Sequence, residues 1–267
     1  MPVEPRAALG MYPTDTDLLV TLGFKVARSL PTRDGKAFPS YYPQAELTGI
    51  ETFANFPEHA YEKIAAAKPD FILDSLGYEN GTHNKLEGIA PTYTYNGFDD
   101  TPWREHFKTV AAALGRTAQY NAWVARYGKR LAEVKAKVGS KVEGKTIAPI
   151  VYNNGKFLSA CLSYATCSTM RDLGATIYAG AYANGGHGET LSAEQLTRLG
   201  QVDLFIAASN PATNLPTVSQ VANDPSWTSL KAVTNGQVMP VSRELAFGSP
   251  SGQLELLNVI EKWLSAH

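Results

Sequence analysis

GRTAQYNAWVARYGKRLAEVKAKVG, Gly115 to Gly139, is the stretch on which the reading of the whole chain turns. Tyr120, Val124, Tyr127, Leu131, Val134 and Val138 recur in steps of 4, 3, 4, 3 and 4, the period of one helical face. Thr117 suits the start of the helix and Gly139 its end. Lys129, Arg130, Lys135 and Lys137 load the last turns with positive charge, which the helix dipole favours. Gly128 inside the helix weakens it by about 1 kcal/mol relative to Ala. At about 1.5 Å per residue the helix is roughly 33 Å long. Such a helix in mid-chain, with similar material on both sides, reads either as a spacer between two lobes or as a packed helix within one domain.

The material on either side is a repeat. DLLVTLGFKVARS (Asp17 to Ser29) is similar to CSTMRDLGATIYAG (Cys167 to Gly180), and YEKIAAAKPDFILDS (Tyr61 to Ser75) to AEQLTRLGQVDLFIAAS (Ala193 to Ser209). Each first piece is a helix that closes on Leu-Gly and feeds a strand. Each second piece is a helix with an early Glu, then an Asp, then an apolar strand. Before the long helix, strands are expected at 5–11, 24–29, 71–73 and 92–95. Helices are expected from Asp15 or Thr16 to Leu22, and at 59–67, 84–88 and 102–114. The loop LPTRDGKAFPSYYPQ between strand and helix is long enough to suggest binding. After the long helix, strands are expected at 146–152, 156–158, 176–178, 204–208 and 238–241. Helical segments are expected at 168–173, 192–199, 218–222, 227–230 and 250–264. Strands alternating with helices predict mostly parallel sheets. The fold class is therefore α/β, with two lobes joined by one long helix: 1–114, a bridge over 115–139, and 140–267. Ligands of such sheets bind beyond the carboxyl ends of the strands, here facing a cleft between lobes.

Composition sets outer limits. The 267 residues carry a formal net charge of −1, so no global field draws nucleic acid or an anionic membrane. No apolar run is long enough to span a bilayer. No secretory leader opens the chain, which fits a cytoplasmic protein or an exported one written without its leader. Cys161 and Cys167, in SACLSYATC, are either two buried thiols or a local disulfide, the latter implying an oxidising compartment.

Four pieces in order resemble one family: LLVTLGFKV, EKIAAAKPDFILDS, ALGRTAQYNAW entering the long helix, and DPSWTSLKAVTNGQVMPVSRE near the end. They resemble the substrate-binding proteins of bacterial ABC importers for iron-siderophores, haem and vitamin B12. The resemblance covers nearly the whole chain. It implies two lobes bridged by a rigid helix, little closure on binding, and delivery of the ligand to a membrane permease. It also implies a periplasmic or lipid-anchored location on the outer face of the membrane. The chain is expected to act as a monomer. In that family one glutamate on each lobe docks into the permease, and Glu62 and Glu194 match those positions. The repeat pairs the same two residues independently; otherwise each is a solvated charge on a helix.

Ligand-binding candidates stand just beyond the expected strand ends: Tyr12, Arg28, Tyr41, Tyr42, Tyr78, Trp103, Arg104, Asn153, Tyr182, Arg243 and Phe247. Met11, Arg33, Ser75, Tyr95 and Asn210 hold similar positions. Arginine offers a planar fork to chelating oxygens, and aromatic rings cover organic surface. That combination suits a bulky Fe(III)-siderophore bound without a resident cofactor; no residue is assigned as a direct metal ligand, and a tyrosine hydroxyl is within the set able to reach an open coordination position on the iron. Arg243 is singled out because it follows VMPVS, the strand that ends in the family's cleft. The alternatives are a carrier of haem, cobalamin or another chelate, and a two-lobed α/β enzyme acting in the cleft. Catalytic residues are not expected, since G-x-S-x-G, P-loop and H-E-x-x-H patterns are missing from the sequence. His59, His83, His106, His187 and His267 show no paired metal-ligand spacing.

Overall fold

The computed structural model describes residues 4–99, 101–161, 165–209 and 215–267, and for Arg243 the backbone alone. It divides into two compact α/β units. The first comprises Met1–Arg126 with Ser249–Gly252, and the second Tyr127–Gly248 with Gln253–His267.

In chain order the first unit contains β1 (Ala8–Gly10), α1 (Pro13–Thr21), β2 (Ser29–Thr32), α2 (Gln44–Leu47), β3 (Glu51–Ala54), α3 (Tyr61–Ala66), β4 (Phe71–Asp74), α4 (Thr82–Glu87), β5 (Thr92–Thr94) and α5 (Trp103–Ala113). The long helix α6 (Thr117–Val138) begins here and continues into the second unit. β1, β4 and β5 form a parallel sheet in the order β1-β4-β5, and β2 pairs with β3, also parallel. Leu9, Leu30, Ile64, Ile72 and Leu86 pack together in one core cluster of this unit. Gly10 permits the first β-to-α join. A Cβ there would lie 2.5 Å from the Thr16 nitrogen and 2.8 Å from the Asp15 Cβ, so only glycine lets α1 sit this close to β1.

The second unit contains β6 (Thr146–Asn153), β7 (Lys156–Ser159), α7 (Ala165–Asp172), β8 (Thr176–Ile177), β9 (Glu189–Leu191), β10 (Leu204–Ala208), α8 (Pro225–Thr228), α9 (Lys231–Thr234), β11 (Val238–Val241), α10 (Arg243–Phe247) and α11 (Pro250–Ala266). The sheet order is β11-β10-β6-β7-β9, with β8 pairing the start of β6. β6 divides its pairing: Ile147 to Ile150 lie parallel to β10, whereas Val151 to Asn153 turn back on β7 in an antiparallel hairpin. In this unit's core Phe157 stacks on Trp227, and Phe205 meets the same indole at a tilt.

The repeat read from sequence is a repeat of jobs. Gly23 and Gly174 both follow their helices with positive φ, +81° and +103°, and each reverses the chain into the next segment. Asp70 accepts from the backbone nitrogens of Arg6 and Ala7 at the entry to β1. Asp203 accepts from Thr146 nitrogen at the entry to β6. The two aspartates tie equivalent strand starts together.

The structure corrects several expectations. The strand expected at 24–29 is a single bridge, Ala8 to Val26, and the true strand is β2 at Ser29–Thr32. Pro31 disguised it; a two-stranded ribbon tolerates the missing donor. β3 lay unrecognised after the supposed loop. Helix α1 starts at Pro13 with Tyr12 as its cap, so Asp15 sits inside the first turn rather than before it. The segment 193–199 is 3₁₀ rather than α-helical, and a second 3₁₀ segment covers Thr217–Val221. On α6, Val124 is 42% exposed, and Trp123 takes its place on the buried face with Tyr127, Val134 and Val138. A step of four from Trp123 to Tyr127 follows the helix as well as the step of three from Val124 does, and the larger ring wins the core.

Candidate ligand site

In the first unit Met11, Ser75 and Tyr95 are the residues immediately beyond β1, β4 and β5. Their loops continue the sheet: Met11 nitrogen donates to Leu73 carbonyl, Gly77 nitrogen to Tyr95 carbonyl, and Gly97 nitrogen to Ser75 carbonyl. A Cβ on Gly97 would lie 2.9 Å from Ser75 Cβ, so the two loops touch because that position has no side chain. Above them stands a group of rings. Phe98 takes Tyr12 edge-on at 6.1 Å and Tyr78 edge-on at 5.7 Å. Tyr78 is 53% exposed, so this group presents aromatic surface to solvent. Arg104, half-buried, is the second residue of α5.

Beneath the rings lies a polar layer. The Asp15 carboxylate is fully buried. It accepts from Tyr12 nitrogen at 3.1 Å, Ser75 nitrogen at 3.2 Å, Ser75 Oγ at 3.0 Å and the Tyr95 hydroxyl at 3.3 Å. Burial, and then the charge of Asp74, push its pKa up to about 7. Asp74, also raised by burial, accepts from Thr94 Oγ1 and Leu76 nitrogen. Burial and the Asp15 charge hold the Tyr95 hydroxyl protonated well above its ordinary range. His59 contacts Glu79 at 2.5 Å beside this layer.

In the second unit an apolar hollow is lined by Pro149, Ile150 and Val151 of β6, by Ile206 and Ala208 of β10, by Val241 at the end of β11, and by Cys161, Thr166 and Ala246. Cys161 and Cys167 are joined in a disulfide that ties this lining to the start of α7. The disulfide is thus the one of the two sequence readings that the structure adopts.

The other sequence candidates distribute unevenly. Tyr182 is half-buried with the Arg171 guanidinium 5.9 Å from its ring. Phe247, half-buried, closes α10, and Arg243 opens it; the Arg243 side chain lies outside the described residues, as does the whole of Asn210. Asn153 is exposed at the tip of the β6–β7 hairpin. Arg28 is exposed but precedes the amino end of β2, so the strand-end argument does not apply to it. Tyr42 is a core residue, stacked on Phe38 and edge-on to Tyr41, with its hydroxyl turned inward to Ser249. Tyr41 is half-buried beside it. Trp103 is likewise core, packed on Phe107 and edge-on to Trp123. Both looked like cleft rings because sequence shows that a ring is present but not which way it points. Glu62 and Glu194 are exposed, and each is the second residue of its helical segment. Neither joins an ion pair among the described residues.

Each α/β unit offers its own surface suited to a solute, aromatic rings in the first and an apolar hollow in the second. The chain belongs to the periplasmic binding protein family, whose model matches residues 11–243. Among curated proteins it is similar to the Fe(3+)-citrate-binding protein YfmC of Bacillus subtilis, with 28% identity over 187 residues, covering 68% of this chain and 56% of that protein. It is also similar to the iron(3+)-hydroxamate-binding protein FhuD of the same organism, with 27% identity over 156 residues, covering 58% and 47%. These alignments span about half the length of the two relatives. Among solved structures, Streptococcus pneumoniae PiaA in complex with ferrichrome superposes with a TM-score of 0.73 at 19% identity, over 98% of this chain and 94% of that one. At that identity the likeness is one of fold.

Proposed function

We propose that this protein binds a ferric siderophore outside the cytoplasm and delivers it to an ABC importer. The observation that carries the reading is the ring group Tyr12, Tyr78 and Phe98 over the strand ends of the first unit. Exposed aromatic faces suit the organic shell of an iron chelate, and the names of two relatives give ferric chelates as their ligands. Arg104 and Arg243 are the cations assigned to the chelate's oxygens, where a guanidinium fork donates two parallel hydrogen bonds.

Glu62 and Glu194 are assigned to permease docking. Each projects from the first turn of a helical segment in a different unit, and an exposed carboxylate suits a basic pocket on a partner. Among the described residues no helix is long and apolar enough to cross a membrane; a periplasmic or lipid-anchored setting on the outer face of the membrane is part of the proposal. The test is a fluorescence titration with ferrichrome and with ferric citrate. Saturable quenching by one of them, absent with the iron-free chelator, is expected. No response to either at concentrations up to about 100 times a micromolar Kd would remove both as ligands.

A further inference from the structure

The Asp15 carboxylate joins three loops that the fold delivers to one place. Its Oδ2 takes the amide of Tyr12 at the entry to α1, and both the amide and the hydroxyl of Ser75 after β4. Its Oδ1 takes the hydroxyl of Tyr95 after β5. Four donors on one buried carboxylate are far more than a helix first turn requires. We propose that Asp15 is a positioning residue for the ligand face of the first unit, setting where Tyr12 and the 75–78 loop hold their rings and doing so only while it is ionised.

A carboxylate accepts from all four donors. A protonated carboxyl donates through one oxygen, which on Oδ1 turns the Tyr95 hydroxyl, and its neutral Oδ2 holds the amides of Tyr12 and Ser75 more weakly than a carboxylate does. Ser75 Oγ and the Tyr95 hydroxyl can rotate; the amides of Tyr12 and Ser75 can respond only by moving backbone. Tyr12 meets Phe98, and Phe98 meets Tyr78, so a shift of either loop reaches the rings directly. The groups facing Asp15 are Asp74 from β4, Tyr95 from the end of β5, and Tyr12 and Ser75 from the loops. His59 and Glu79 act on Asp74. Asp17, on the same helix, faces Ser249 and Ser251 instead. With the carboxyl pushed up to about 7, the change of state falls near neutral pH.

This inference rests on the proposed ligand reading, and the experiment separates the two. In the free protein, backbone amide NMR shifts of Tyr12 and Ser75 are followed from pH 5 to pH 9. A shared midpoint near 7 is expected, lost in Asp15→Asn. Asp74→Asn should lower the midpoint by removing a like charge, and Tyr95→Phe should raise it by removing a donor to the carboxylate; these two variants stand in if Asp15→Asn does not fold. Ferrichrome and ferric citrate are then titrated at pH 6 and pH 8. Wild-type affinity should change about tenfold between the two, and that of Asp15→Asn should not. Amides that do not titrate, or that titrate unchanged in the variants, overturn the proposal, as does an affinity independent of pH. If neither chelate binds at either pH, the proposed function falls, while the amide titration still decides whether Asp15 governs the loops.

Discussion

Asp15 shows how a single residue can be visible in sequence and its role invisible. YPTDTD marks a helix start, and the helix is there. Nothing in it says that one aspartate lies beneath three strand ends, because Ser75 and Tyr95 are 60 and 80 residues away. The same holds for Asp17, which accepts from Ser251 nitrogen 234 residues on. Burial of Asp15 has a stability consequence whose sign is fixed. Below its ordinary value of 3.8 the carboxyl is protonated in folded and unfolded chains alike. Between 3.8 and about 7 the folded protein keeps a proton that the unfolded chain has lost, so stability falls as pH rises, and above 7 the whole penalty applies. Asp15→Asn removes the penalty. Urea unfolding at pH 5 and pH 8 should show the variant gaining on wild type by about 3 kcal/mol over that interval; an equal difference at both pH values contradicts the burial of an ionised Asp15. Gly10→Ala is expected to destabilise by about 2 kcal/mol or more, since its Cβ would overlap the backbone of Thr16 and Asp15, and thermal unfolding measures it.

At the level of elements the chain was largely legible. The long helix, the join from α3 into β4, and β6, β10 and β11 follow from periodicity and from glycines at helix ends. What failed was local and has physical causes. β2 contains a proline, and β6 changes partners midway, so its antiparallel hairpin with β7 breaks the parallel rule. The face of α6 was misread by one residue, and that error makes a prediction. Trp123 donates its indole N–H to the Pro250 carbonyl at 2.9 Å and packs on Trp103 and Phe107, so Trp123→Ala should cost about 3–5 kcal/mol. Val124→Asp, on the exposed side, should change stability by no more than about 0.5 kcal/mol. Equal losses in the two variants would restore the original face. The disulfide closes a loop between residues only six apart, so reduction should lower stability by about 2–3 kcal/mol. Thiol titration of the unreduced, unfolded protein should find no free cysteine; two reactive thiols would contradict the bridge.

For the whole molecule, the family was legible and the ligand face only partly so. Rings and arginines could be counted from sequence, but Tyr42 and Trp103 turned inward while Tyr78 turned out. Directions of side chains depend on packing that no local pattern encodes. The docking assignment belongs to this scale, since Glu62 and Glu194 sit in different units. Changing both to Ala should leave chelate affinity within about twofold and reduce uptake by cells at least about tenfold, a loss of about 1.4 kcal/mol or more in productive encounter. Normal uptake by the double variant would place docking elsewhere. The most direct test of the account is isothermal calorimetry of the purified protein against ferrichrome and ferric citrate, each with and without iron. The account predicts one-to-one binding of an iron-loaded chelate with a Kd of about 1 μM or tighter, and at least about a hundredfold weaker binding of the same chelator without iron. Heat from neither loaded chelate, or equal affinity for loaded and empty forms, would contradict it.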